Sequence, residues 1–78
     1  MATLRLFAQA REAAGTSTAQ FDATTVGGVL DQAIDMWGAG FATVVEHSRV
    51  WLNGDPAQYD MVVGDRDEVA VLPPVSGG

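Results

Sequence analysis

The residues of this chain best placed to do chemistry are its last six, Pro73-Pro74-Val75-Ser76-Gly77-Gly78, which follow directly on an apolar run, Glu68-Val69-Ala70-Val71-Leu72. Glycines carry no Cβ, so Gly77 and Gly78 can be drawn through a channel too narrow for any other residue. Six extended residues past Leu72, at about 3.3 to 3.6 Å each, reach roughly 20 Å into a partner's pocket. A carboxylate on Gly78, with an ordinary pKa of about 3.3 to 3.7, is ionised at neutral pH and is a poor electrophile. It needs activation. Adenylation by an ATP-dependent partner makes an AMP ester, after which a sulfur nucleophile yields a thiocarboxylate or thioester and an amine yields an amide. A frayed terminus is the plain alternative, and Gly27-Gly28 shows the dipeptide elsewhere without such a role. The position right after a strand and Pro-Pro favours the reactive reading.

Little else in the chain is chemically equipped. There is no cysteine, so no disulfide or thiolate metal site forms. The one histidine, His47, reads as a solvated surface residue, and Asp65 and Asp67 read as turn and solubility residues rather than metal ligands, so no metal and no permanently bound cofactor is expected. The four cationic side chains are all arginines, Arg5, Arg11, Arg49 and Arg66. Without a lysine, the α-amino group of Met1 is the only internal amine that can intercept an activated Gly78. Lysine-linked chains of this protein are therefore impossible. That counts against a chain-forming modifier and leaves a carrier of activated sulfur untouched; a coding bias toward arginine would produce the same absence.

Seventy-eight residues make one small domain, close to the size at which a single core suffices. With 47% apolar and 18% charged residues the chain has enough to bury and should fold alone. A formal charge of −6 repels phosphate backbones, which argues against nucleic acid. It attracts a partner with a basic face, or simply keeps the domain soluble. No run approaches the about eighteen apolar residues of a membrane span, and the start, Met1-Ala2-Thr3-Leu4-Arg5, lacks a signal-peptide layout. A soluble, cytoplasmic protein is expected.

The elements that would position the tail follow from periodicity. Residues 3 to 8 alternate as a strand with Leu4 and Leu6 on one face and Thr3, Arg5 and Phe7 on the other. Gln9 to Thr16, with Gly15, reads as a turn, and residues 17 to 22 return as a second strand with Ala19 and Phe21 on one face. Thr25 is an N-cap for a helix from about 25 to 37, because Val26, Val29, Leu30, Ala33 and Trp37 recur at helical spacing and Gly38 ends it. Gly27 and Gly28 weaken its first turn by up to about 1 kcal/mol each, and without the Walker lysine they make no phosphate loop. Phe41, Val44 and Val45 suggest a second short helix. Arg49 to Leu52 is a strand closed by the turn dipeptide Asn53-Gly54. Residues 55 to 67 are polar and irregular, and 68 to 72 form the last strand.

A hairpin, a helix, then further strands ending in a C-terminal one is the order of a β-grasp, an α+β fold in which a mixed sheet wraps one main helix and its first and last strands are central parallel neighbours. A domain over 1–74 and a tail over 75–78 are expected. The opening Leu6-Phe7-Ala8-Gln9-Ala10-Arg11-Glu12 and the ending Gly64 to Gly78, above all Pro73-Pro74-Val75-Ser76-Gly77-Gly78, resemble the small, sulfur-carrying subunit of molybdopterin synthase, the MoaD family of ubiquitin-like sulfur carriers. The carriers of thiamine and cysteine synthesis, and ubiquitin-like modifiers joined to lysines, are the nearest alternatives. The resemblance implies that Gly78 is adenylated and converted to a thiocarboxylate by an ATP-dependent activating enzyme and a sulfur donor. Val75, Ser76 and Gly77 would thread the tail into a larger catalytic subunit, in a heterotetramer, where sulfur is given to a cyclic pterin monophosphate. Two charged carriers serve each dithiolene.

Strand parity places the docking face. If Leu4, Leu6, Val50, Leu52, Val69 and Val71 face the helix, then Arg5, Phe7, Trp51, Ala70 and Leu72 face away, and a one-residue slip would invert every assignment. An exposed apolar patch beside the tail marks a partner surface. Phe7, Trp51, Leu72, Pro73 and Pro74 are its candidates, and Arg11 resembles a family position that pairs with an acid on the partner.

Overall fold

The computed structural model describes residues 1–74; Val75, Ser76, Gly77 and Gly78, the tail on which the chemistry was placed, lie outside the described residues. Strand β1 (Ala2–Leu6) is followed by helix α1 (Ala8–Ala14), β2 (Thr18–Phe21), α2 (Val26–Trp37), α3 (Ala39–Glu46), β3 (Arg49–Leu52), β4 (Asp55–Pro56) and β5 (Glu68–Leu72). The sheet order is β2-β1-β5-β3-β4, with β1 and β5 parallel and every other neighbour antiparallel. This is the expected β-grasp. The terminal strands lie side by side in the middle of the sheet, and Leu6 pairs with Val71 just before the chain leaves β5.

Alternation sorts each strand into a core face and an outer face. Leu4, Leu6, Val69 and Val71 are buried against Val26, Val29, Leu30 and Ala33 of α2, and Val50 and Leu52 pack on the same core. The parity read from the sequence therefore holds. Helix α2 begins where expected, because the Thr25 hydroxyl accepts the Gly28 N–H at 3.0 Å and satisfies one of the unpaired donors of the first turn. Its far end is sealed by aromatic packing: Trp37 meets Phe21 and Phe41 edge-to-face, with ring centroids 5.8 and 4.9 Å apart. The short helix around Phe41, Val44 and Val45 is α3, with Phe41 and Val45 buried.

Two expectations are corrected. Gln9 to Thr16 is not a turn, because its first part is the body of α1. The segment Ala-Gln-Ala-Arg-Glu-Ala-Ala is rich in strong helix formers, and seven residues too few to be stable alone are held by burying Ala10 and packing on α3. Gly15 ends α1 in the left-handed region, φ 77°, and donates its N–H to the Arg11 carbonyl. The stretch 55 to 67 is more ordered than its polarity implies. Asn53 and Gly54, at φ 51° and 88°, make the two-residue turn into β4, Val63 is buried, and Thr25 bridges Val62.

Candidate functional site

The candidate site is the end of the sheet where β5 delivers the chain to its tail. Phe7 and Leu72 stand there on the outer face, 41% and 37% exposed. Phe7 keeps an extended backbone at the end of β1, and the chain then reverses at Ala8, whose φ of 51° is unusual for a residue with a Cβ. That reversal lets α1 start without displacing Phe7 from the sheet. Arg5, two residues back on the same face, places its guanidinium 5.9 Å from the Phe7 ring centroid and meets Glu68 at 3.7 Å.

Trp51 is on the same face, beside Ala70 of β5 and Pro56 of β4, but it is half-buried, and its shielded indole Nε1 has no partner among the described residues. The exposed apolar patch is thus narrower than expected and centred on Phe7 and Leu72. Arg11 is exposed on α1, its backbone N–H donating to the Phe7 carbonyl. Parity could have added Arg49: its Cα partner is Leu72, so its side chain shares the outer face.

Past Leu72 the chain crosses to the helical side. Pro73, half-buried, and Pro74, exposed, line an open groove of about 220 Å³ with Gln9 of α1 and Thr43, Val44 and His47 of α3. His47 is exposed, as expected, and its Nδ1 lies 2.9 Å from the Thr43 carbonyl, so that ring nitrogen is the donor. The start of β5 is clasped to the β3–β4 turn. Asn53 Nδ2 donates to Asp67 Oδ1 at 2.9 Å, Glu68 N–H donates to Asn53 Oδ1 at 2.8 Å, and Gly64 N–H donates to Asp67 Oδ2 at 2.7 Å. The Asn53 amide, then the Gly64 N–H, holds the Asp67 carboxyl below its ordinary pKa. Asp65 is lowered likewise by its hydrogen bond to, and the charge of, the Met1 ammonium. These acids are used in turns. Among the described residues no three His, Asp or Glu side chains gather as metal ligands, and no helix is long and apolar enough to cross a membrane.

A β-grasp domain that brings its last strand to the centre of the sheet, with a partly exposed apolar pair at the exit, defines the class of ubiquitin-like carrier and modifier proteins. The chain belongs to the ThiS family, whose model matches residues 4–78. It is 34% identical to small archaeal modifier protein 1 of Haloferax volcanii, over 95% of this chain and 97% of that one. The crystal structure of that protein superposes with a TM-score of 0.87 at 33% identity, covering 99% of this chain and 98% of the other. The solution structure of the Methanosarcina acetivorans small archaeal modifier protein 1 gives 0.86 at 29% identity, covering 99% and 95%. A putative molybdopterin converting factor subunit 1 from Pyrococcus furiosus gives 0.82 at 21% identity, covering 95% and 97%, which shows a shared fold and no more.

Proposed function

We propose that this protein is a carrier whose Gly78 carboxylate is activated by an ATP-dependent adenylating enzyme and joined to amines of other proteins, as a ubiquitin-like modifier. The observation that carries this reading is the likeness, over nearly the full length of both chains, to proteins named small archaeal modifier protein 1. The carboxylate oxygen attacks the α-phosphate of ATP, pyrophosphate leaves, and the AMP ester results. A lysine amine then displaces AMP, loses a proton and forms an amide. Gly77, Ser76 and Val75 thread the tail, and Phe7, Trp51, Leu72, Pro73, Pro74 and Arg11 provide the docking surface. The chain has no lysine of its own, so its products carry no lysine-linked chains of it.

A second reading keeps the same activation and changes the nucleophile. Sulfur from a donor displaces AMP to give a thiocarboxylate, which then supplies a cyclic pterin as the small subunit of molybdopterin synthase. The resemblance of Pro73-Pro74-Val75-Ser76-Gly77-Gly78 to that subunit favours it. Mass spectrometry separates the two. Because Arg66 is the last tryptic site, a conjugate leaves the branch from Asp67 to Gly78 on a substrate lysine. A carrier of sulfur instead gains the mass of one oxygen exchanged for sulfur in the intact chain. Cells yielding neither species, or unaffected by deletion of Gly78, would refute both readings.

A further inference from the structure

Seven large apolar side chains stand exposed among the described residues, and three of them, Tyr59, Met61 and Val62, fall within one short stretch of the loop before β5. Phe7 and Leu72 belong to the exit face; this loop lies at the other end of the sheet. Phe21 pairs with Ala2 and Thr3 with Glu68, so the approach to α2 and the start of β5 share the end from which β5 runs away toward its exit. The loop is built into the fold. Val26 N–H donates to Met61 O at 2.9 Å, Gly27 N–H to Tyr59 O at 2.8 Å and Val63 N–H to Thr24 O at 2.9 Å, and Val63 is buried. With the Gly28 N–H on the Thr25 hydroxyl, the first donors of α2 are all taken, so this helix end offers nothing to an anion. Gly27 permits the seating, because a Cβ there would come 3.0 Å from the Tyr59 carbonyl oxygen. A firmly held loop thus keeps three apolar side chains in solvent. Residues 22–31 and 57–67 frame it with five aspartates, Asp22, Asp31, Asp60, Asp65 and Asp67, against one arginine, Arg66. Asp31 follows Gly27 by one helical turn and shares the face that meets Tyr59. Asp65 binds the Met1 ammonium and Asp67 binds Asn53, while Asp22, Asp31 and Asp60 are exposed with no cationic partner among the described residues.

We infer that Tyr59, Met61 and Val62 form a second docking surface, for a protein segment with an apolar centre and lysine or arginine flanks. The acidic frame repels nucleic acid and anionic bilayers. A second copy of this chain would bring aspartates against aspartates. Because it lies at the far end from the exit, the surface stays open while Gly78 is engaged, a consequence that rests on the carrier reading above.

The test is an NMR titration of the whole chain, following backbone amides, with three short synthetic peptides. One has a leucine- and tryptophan-rich centre flanked by lysines, one the same centre flanked by glutamates, and one a serine centre flanked by lysines. The expected result is that only the first shifts the amide signals of 57–63 and of the first turn of α2, sparing those of Phe7 and Leu72. Val62→Ser, at a side chain 76% exposed and therefore harmless to folding, weakens that binding about tenfold. Phe7→Ser changes it by no more than about twofold. Salt weakens it, less steeply in Asp60→Asn. A fusion through Gly78 to a second protein binds the peptide as the free chain does; loss of binding there would overturn the claim that the surface stays open. Shifts centred on Phe7 and Leu72, equal binding of either control peptide, no shifts at all, or self-association of the chain through this loop would each overturn the inference. None of these measurements involves activation of Gly78, so their failure leaves the carrier reading standing. Failure of ATP–pyrophosphate exchange by the adenylating enzyme of the same organism would overturn that reading and leave the surface.

Discussion

Three glycines of the helical segments make a test of how packing overrides local propensity. Gly27 and Gly28 occupy the first turn of α2 and Gly40 the first turn of α3, where alanine is intrinsically better by about 0.8 to 1.0 kcal/mol. At Gly40 an added Cβ meets nothing within 4 Å, so Gly40→Ala should stabilise by about 0.5 to 1 kcal/mol, or roughly 4 °C in Tm for a domain of this size. At Gly27 the same Cβ would lie 3.0 Å from the Tyr59 carbonyl oxygen, the atom that accepts the Gly27 N–H at 2.8 Å. The loop has little freedom to retreat, because Val26 N–H donates to Met61 O, Val63 N–H donates to Thr24 O, and Val63 is buried. Losing or lengthening the Gly27 hydrogen bond costs about 1 kcal/mol and the crowding adds to it. The propensity gain is offset, and Gly27→Ala should be destabilising by about 1 kcal/mol net. Urea unfolding with matched m-values measures both variants. If Gly27→Ala stabilises as much as Gly40→Ala, the loop yields freely and the packing argument is wrong.

Removing the α2 cap with Thr25→Ala should cost about 1 kcal/mol, seen as a lower urea midpoint, because the Gly28 N–H loses its acceptor. Val71→Ala should cost about 2 kcal/mol or more, while Leu72→Ser, one residue on and facing out, should cost well under 1 kcal/mol yet lower the yield of activated product in the exchange assay. Asp65 and Asp67 have folded pKa values below their ordinary ones. The stability they contribute is therefore complete above the unfolded carboxylate range, near about 3.9, and is lost as pH falls through the lower folded values. Thermal unfolding should show no dependence on this pair between pH 5 and 7, on the order of a unit or more above that range. Asp67→Asn should flatten part of the decline below about pH 4.

Much of the architecture was legible in the chain because each element carries its own local signal. The spacing of Val26, Val29, Leu30 and Ala33, the cap at Thr25, the turn at Asn53-Gly54 and the alternation of Val69 and Val71 each depend on near neighbours. Together they place a helix, a hairpin and a terminal strand, and strand parity then divides the core face from the outer one. The segment Gln9 to Thr16 carries no such signal: α1 is too short to exist on propensity alone, and the contact that secures it, with α3, comes from some thirty residues away.

The chemistry available is written in the residues: no cysteine, no lysine, one histidine, and a Gly77-Gly78 pair included in the ThiS family match over residues 4–78. Which side chains stand where β5 ends depends instead on strand pairing between distant segments. Pairing of β1 with β5 joins residues more than sixty positions apart, and pairing of β5 with β3 joins Arg49 to Leu72 across more than twenty, and this brings Arg5, Arg49, Phe7 and Leu72 to one end of one face. Long-range register obeys burial and hydrogen bonding across the whole sheet, so no local pattern around Arg49 could announce that its neighbour in space is Leu72.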